Sequence, residues 1–248
     1  MLIYFLLRNF GIFFTFETGC KYCAYSRVLA ATLLRHSIFF KLNCKMQPIV
    51  TNDKSDMTTK DALIGFYRFN QLNLTADFES HCVRVYIGCI LAPVPNIKAR
   101  KKYLKFHDLQ HIMTGYGIDR IGESEISAWE LGSRSCRRPI ISIMNLFALS
   151  TGFILSPSKV IEAFYRGCRS KNLYYLSNTM TETEIDALNL YEIRTKHLEI
   201  RQTIKFKWLR QIEFTGYVFF SMLIHVAMLV AGKLLLTAES LKNKFKKN

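Results

Sequence analysis

Acidic residues are scarce in this chain. Nineteen Asp and Glu (19) stand against 34 Lys and Arg, a formal net charge of +15, and Glu17 is the only acid before Asp53. A balance of that sign suits two partner classes, nucleic acid and anionic membrane. The marks of a nucleic-acid binder are missing: there is no zinc-finger spacing, no RNA-recognition aromatic motif and no continuous basic helix. No nucleic-acid partner is therefore expected. A disulfide framework is lacking as well. The 7 cysteines are odd in number and irregular in spacing, which points to a reducing compartment. Cys20 and Cys23 form a lone CxxC; a structural zinc site would need a second pair at matching spacing, and none follows. No small-residue cleavage site follows the first apolar run cleanly, which argues against a signal peptide.

Apolar residues are plentiful. Half of the chain (50%) is hydrophobic, yet mean hydropathy is only +0.09, so a few strongly apolar segments raise the average. Residues 1–16 and 28–40 are two such runs, interrupted by Arg8, Arg35 and His36. Residues 1–56 read as an apolar extension: a weak anchor, a targeting segment, or a start set too early, with Met46 and Met57 as later candidates. The strongest membrane signal is residues 215–236, which as a helix would extend about 33 Å, near the roughly 30 Å of a hydrocarbon core. Arg201, Lys205, Lys207 and Arg210 precede it, and Lys242, Lys244, Lys246 and Lys247 follow. Basic flanks favour anionic headgroups. His225 and Lys233 depart from a clean span, so spanning and in-plane placements both stand. Residues 211–248 are expected to be a membrane-associated helix with a basic tail.

Between these ends the pattern is helical, and the expected class is all-α. Residues 57–91 read as helix, with a start at 58–61 and a second helix over 78–90. Pro93 and Pro95 force a break. Asn96 is a plausible N-cap for a helix over 97–114. Gly115, Gly117 and Gly122 end it and make a tight connection to a helix over 123–131. Further helices are expected over 140–155, 159–166 and 182–205, the last starting near Thr181.

The chemistry concentrates at His107 and His111. At i and i+4 they lie on one helical face, a turn apart, and can share one ion. Zinc proteases use the same spacing with Glu after the first His. Here that residue is Asp108, shorter and about 100° round the helix, so a protease-type base is not expected. Glu123 follows the glycine-rich connection and can fold back beside the histidines. Two imidazoles and a carboxylate suit zinc, iron or manganese with positions left open. Asp108 could be a fourth ligand or orient an imidazole. Glu130, about 10 Å beyond Glu123 on the same helix face, is expected to pair with Arg134 instead.

The pattern His107-Asp108-Leu109-Gln110-His111, then residues 112–122, then Glu123 resembles the motif of the ubiquinone-biosynthesis proteins called coenzyme Q protein four. The stretch HDLQHIMTGYGIDRIGESEISAWELG (107–132) looks like the bacterial-type branch, and AFYRGCRSKNLYYL (163–176) is similar to a basic family segment. The resemblance covers roughly 57–210. It implies a helical fold with a divalent metal, usually zinc, at His107, Asp108, His111 and Glu123. It also implies loss of the C1 carboxyl of a polyprenylated hydroxybenzoate, in some accounts with hydroxylation there, and a role in organising other ubiquinone biosynthesis proteins. Asp108 and Glu123 would then be catalytic. Arg166, Arg169 and Lys171 would attract an anionic substrate head or a lipid headgroup. The location implied is the bacterial cytoplasmic membrane or the mitochondrial inner membrane, with a homodimer as one option for assembly. A prenyl-lipid-binding scaffold with a structural metal is the reading of a different class. An HD-type phosphohydrolase would need a further upstream His, and the context of His81 gives it no support.

Overall fold

In the computed structural model, residues 57–72, 81–88, 90–135 and 139–245 are described. The expected extension over 1–56, with Cys20 and Cys23, lies outside them. The described chain is mostly helical. Its elements are α1 (Thr59–Phe69), β1 (Cys82–Ile87), β2 (Ile90–Pro95), α2 (Lys98–Thr114), α3 (Arg120–Gly132), α4 (Pro139–Leu155), α5 (Pro157–Arg169), a 3-10 turn (Leu176–Asn178), α6 (Glu182–Ala187), α7 (Leu190–His197) and α8 (Lys207–Phe245).

Local chemistry explains most of the boundaries. The Thr58 side chain caps α1 by accepting from Asp61 N. Thr181 opens α6 with a reciprocal capping box to Glu184. Asn189, unforeseen, caps α7 by accepting from Glu192 N and so splits the single helix expected over 182–205. Asn96 does not cap α2: the N-cap is Ile97, and Asn96 Oδ1 accepts instead from Arg100 Nη1 at 3.0 Å. The larger correction is at 82–95, where an antiparallel hairpin replaces the expected end of a helix. Val83, Val85 and Ile87 alternate along β1, the period of a strand. Pro93 and Pro95 sit in a two-stranded sheet, where each strand has a free edge that needs no proline N–H.

α3 is the central element, packed against α4 on one side and α5 on the other. Gly132 meets the Phe164 carbonyl and Gly167 meets the Trp129 carbonyl so closely that no Cβ fits at either. Two apolar clusters result. One joins Phe66, Phe106, Leu109, Met113 and Leu173. The other joins Ile126, Trp129, Leu149, Phe164, Phe214 and Val218. Histidine-bearing α2 belongs to the first cluster and α3 to the second, so the candidate site lies where they meet.

α8 runs unbroken through the boundary expected at 210/211. Phe214, Val218, Ser221 and His225 form its buried stripe, spaced for one helical face and turned toward α4. His225 is thus an interior residue: its Nδ1 lies 2.9 Å from Ser150 Oγ of α4. The rest of the helix carries exposed Phe219, Phe220, Leu223, Val226, Leu229 and Val230. Among the described residues, Lys207–Leu234 is the one helix long and apolar enough to cross a membrane.

Candidate metal centre

The Nε2 atoms of His107 and His111 are 3.1 Å apart. Glu123 Oε2 is 3.5 Å from His107 Nε2, and Glu123 Oε1 is 3.6 Å from His111 Nε2. One ligand atom from each residue lies within 4.8 Å of the others. The connection between α2 and α3 produces this convergence. Gly115 ends α2 at φ 80° and its N–H returns to His111 O. Asp119 caps α3 by accepting from Gly122 N at 2.7 Å. Gly122 then lies against the Gly117 carbonyl with no room for a side chain. Glu123 is delivered in the first turn of α3.

Both imidazoles are oriented from behind. His111 Nδ1 lies 3.1 Å from Tyr116 O, so it is the donor there and leaves Nε2 free for a ligand. His107 Nδ1 lies 2.9 Å from Glu130 Oε1. Glu130 is fully buried and does not pair with Arg134. Its carboxylate also accepts from Gln110 Nε2 at 2.9 Å and Tyr174 OH at 2.7 Å. The arrangement is the carboxylate–histidine support that metal-binding imidazoles use. Burial disfavours charge on His107, but Glu130 and Glu123 outweigh it and hold the imidazole well above its usual range. Burial pushes His111 down. Against the cost of its own burial, the two imidazoles hold Glu123 below the ordinary carboxylate range. A site that concentrates two donor nitrogens and carboxylate charge at one point fits a divalent cation.

Asp108 is not one of the three converging ligands. As the i+1 residue it turns away from the histidine face, and its Oδ2 accepts from Tyr67 OH of α1 at 2.8 Å. The imidazole-orienting role expected of Asp108 falls to Glu130. Burial raises the Asp108 carboxyl to about 6, with His107 and Tyr67 pulling the other way. Asp108, His107 and Glu123 share a cleft of about 370 Å³ whose other walls include Leu104, Ile140, Met144 and Phe147.

The basic run is elsewhere. Arg166 Nη1 donates to Thr114 O at 2.7 Å, and Arg169 Nη2 pairs with Glu199 at 2.8 Å. Lys171 Nζ lies 4.0 Å from the centre of the Tyr175 ring. None of the three lines the cleft.

Comparison adds no relative. No protein-family model, curated protein or solved structure matches this chain. The case for function rests on its own residues.

Proposed function

We propose that this chain is a metal-dependent enzyme of ubiquinone biosynthesis that removes the C1 carboxyl of a polyprenylated hydroxybenzoate. One observation carries the reading: two oriented imidazoles and a carboxylate converge at the wall of an apolar cleft. Zinc is the first choice for that donor set, with iron or manganese as alternatives. The bound ion would supply Lewis acidity to the substrate carboxylate. The chain does the rest. Leu104, Ile140, Met144 and Phe147 take the ring and the first part of the tail and exclude water. A cleft of a few hundred cubic ångströms suits a drug-sized molecule, so a long isoprenoid tail extends beyond it. Asp108, raised to about 6, can carry a proton near neutral pH. When the C1–carboxyl bond breaks and CO₂ departs with the carboxyl carbon, the electron pair stays on C1. Asp108 returns a proton there. Tyr67 OH fixes the Asp108 carboxyl in place. Glu123, 38% exposed at its side chain, faces the cleft and with the two imidazoles would hold the ion where the substrate carboxylate enters.

The exposed apolar face of α8 supports placement at a membrane, where such substrates reside, and organisation of other ubiquinone biosynthesis proteins belongs to the same proposal. The test uses full-length protein in detergent, loaded with zinc, and a prenylated hydroxybenzoate labelled at the carboxyl carbon. Release of labelled CO₂ by the parent and not by Asp108→Asn, at equal metal content, supports the enzyme. Metal binding without release favours the second reading, a prenyl-lipid-binding scaffold with a structural metal, which the apolar walls of the cleft would also serve.

A further inference from the structure

Ser127 of α3 lines the metal-centre cleft one turn beyond Glu123, about 6 Å along the helix. It is 2% exposed. Among the described residues its hydroxyl makes no hydrogen bond. A helical serine can bond back to the carbonyl four residues earlier, as Ser124 does to Arg120 O at 2.9 Å. Ser127 does not take the Glu123 carbonyl. It is alone in this, since every other buried serine among the described residues has a partner. Ser124 Oγ also donates to Ala148 O at 2.6 Å, Ser133 Oγ to Glu130 O at 3.0 Å, Ser170 Oγ to Arg166 O at 2.8 Å and Ser221 Oγ to Leu146 O at 2.6 Å. Ser135 accepts from Asn145, and Ser150 meets His225. Buried polar groups are paired as a rule, and an exception calls for a partner from outside the fold. For Ser127 the cleft is where that partner can come from.

The facing wall carries a matching group. Ile141, Met144, Asn145 and Ala148 line the cleft from α4 at helical spacing. Asn145, also 2% exposed, is the polar member of that row. Its Nδ2 donates to Ser135 Oγ at 3.3 Å, and its Oδ1 accepts from nothing among the described residues. A donor on one wall and an acceptor on the other suit a group that both accepts and donates. A hydroxyl does both. A carboxylate only accepts, and the Asn145 oxygen would repel it.

We propose that Ser127 and Asn145 form a subsite for a ring hydroxyl, Ser127 donating to its oxygen and Asn145 Oδ1 accepting from it. The assignment rests on the hydroxybenzoate reading and adds the residues that select such a ring from one without the hydroxyl. The ion and its ligands take the carboxylate, the subsite takes the hydroxyl, and the ring is held between them. A site built to hydrogen-bond a hydroxyl rejects the analogue that lacks it, because its own polar groups then stay unpaired.

The test is calorimetric titration of full-length, zinc-loaded protein in a neutral detergent with two ligands, 3-prenyl-4-hydroxybenzoate and 3-prenylbenzoate, which differ only in the hydroxyl. The parent should bind the hydroxylated ligand about tenfold more tightly. In Ser127→Ala that preference should shrink about fivefold, with 3-prenylbenzoate binding as it does to the parent. The Ser127 hydroxyl makes no bond in the fold and alanine is the better helix former, so the melting temperature of Ser127→Ala should equal or exceed that of the parent. A lower one would make Ser127 structural and overturn the subsite. An unchanged hydroxyl preference in Ser127→Ala would overturn it as well, even if labelled CO₂ is released and the enzyme reading stands. Hydroxyl-dependent binding that Ser127→Ala abolishes, without CO₂ release, would keep the subsite and reject the enzyme. No binding of either ligand would overturn both.

Discussion

His107 touches two carboxylates at once, and that residue-level fact organises the centre. Glu123 and Glu130 are about two turns apart on α3, too far to share one ion. The imidazole spans the gap because its nitrogens lie on opposite edges of the ring: Nε2 faces Glu123 and Nδ1 faces Glu130. Glu130→Gln is therefore predicted to weaken metal affinity by roughly 10- to 100-fold, the usual cost of losing an outer-shell partner. Competition with a calibrated chelator measures it, and parent-like affinity would remove Glu130 from the centre. Tyr67→Phe should retain metal, lose about 0.5–1.5 kcal/mol of stability with its hydrogen bond to Asp108, and lower kcat through a misplaced Asp108. A variant with unchanged kcat would show that the Tyr67 contact does not position the acid. The histidine pair was legible in the sequence because i,i+4 spacing is itself geometry. Glu130 was misassigned because distance along one helix says nothing about a ring reaching across from another.

At the scale of elements, the short path from α2 to α3 decides whether a site exists. Gly122→Ala places a methyl against the Gly117 carbonyl and must open that turn. It should lower both metal occupancy and stability. Gly65→Ala is the control: it lies within α1 with nothing in reach of an added Cβ, and is predicted to raise stability by about 0.5–1 kcal/mol. Chemical denaturation of the two variants beside the parent distinguishes them; equal responses would contradict the close approach at Gly122. The caps at Thr58 and Thr181 could be read in advance because a side-chain acceptor sits next to the backbone it serves. The hairpin could not. Its strands are short, its prolines suggest a break as readily as an edge, and it is held from a distance, with Gly88 N–H donating to Phe147 O at 2.9 Å and Thr151 Oγ1 donating to Gly88 O at 2.7 Å. The split between α6 and α7 depends on similarly remote partners, Thr59 N to Leu188 O and Leu190 N to Met57 O.

At the scale of the whole molecule, α8 has two faces with different jobs. Its buried stripe ties it to α4 through Ser221 Oγ, which donates to Leu146 O at 2.6 Å, and through His225. The opposite face is apolar and exposed among the described residues. Replacing Phe219, Phe220 and Leu223 with serine should leave the fold and metal content intact and move the protein from the floated vesicle fraction to the bottom of the gradient in flotation with anionic liposomes. Continued tight association would place membrane contact elsewhere. The apolar length of this helix was plain from composition; that His225 turns inward was not, since it depends on a partner 75 positions earlier in the chain. The central claim remains the cation at the junction of α2 and α3. Its most direct test is elemental analysis of full-length protein, after zinc or iron reconstitution, beside His111→Ala. One equivalent in the parent and little in the variant is the predicted result, whereas a well-folded parent without metal would contradict the account.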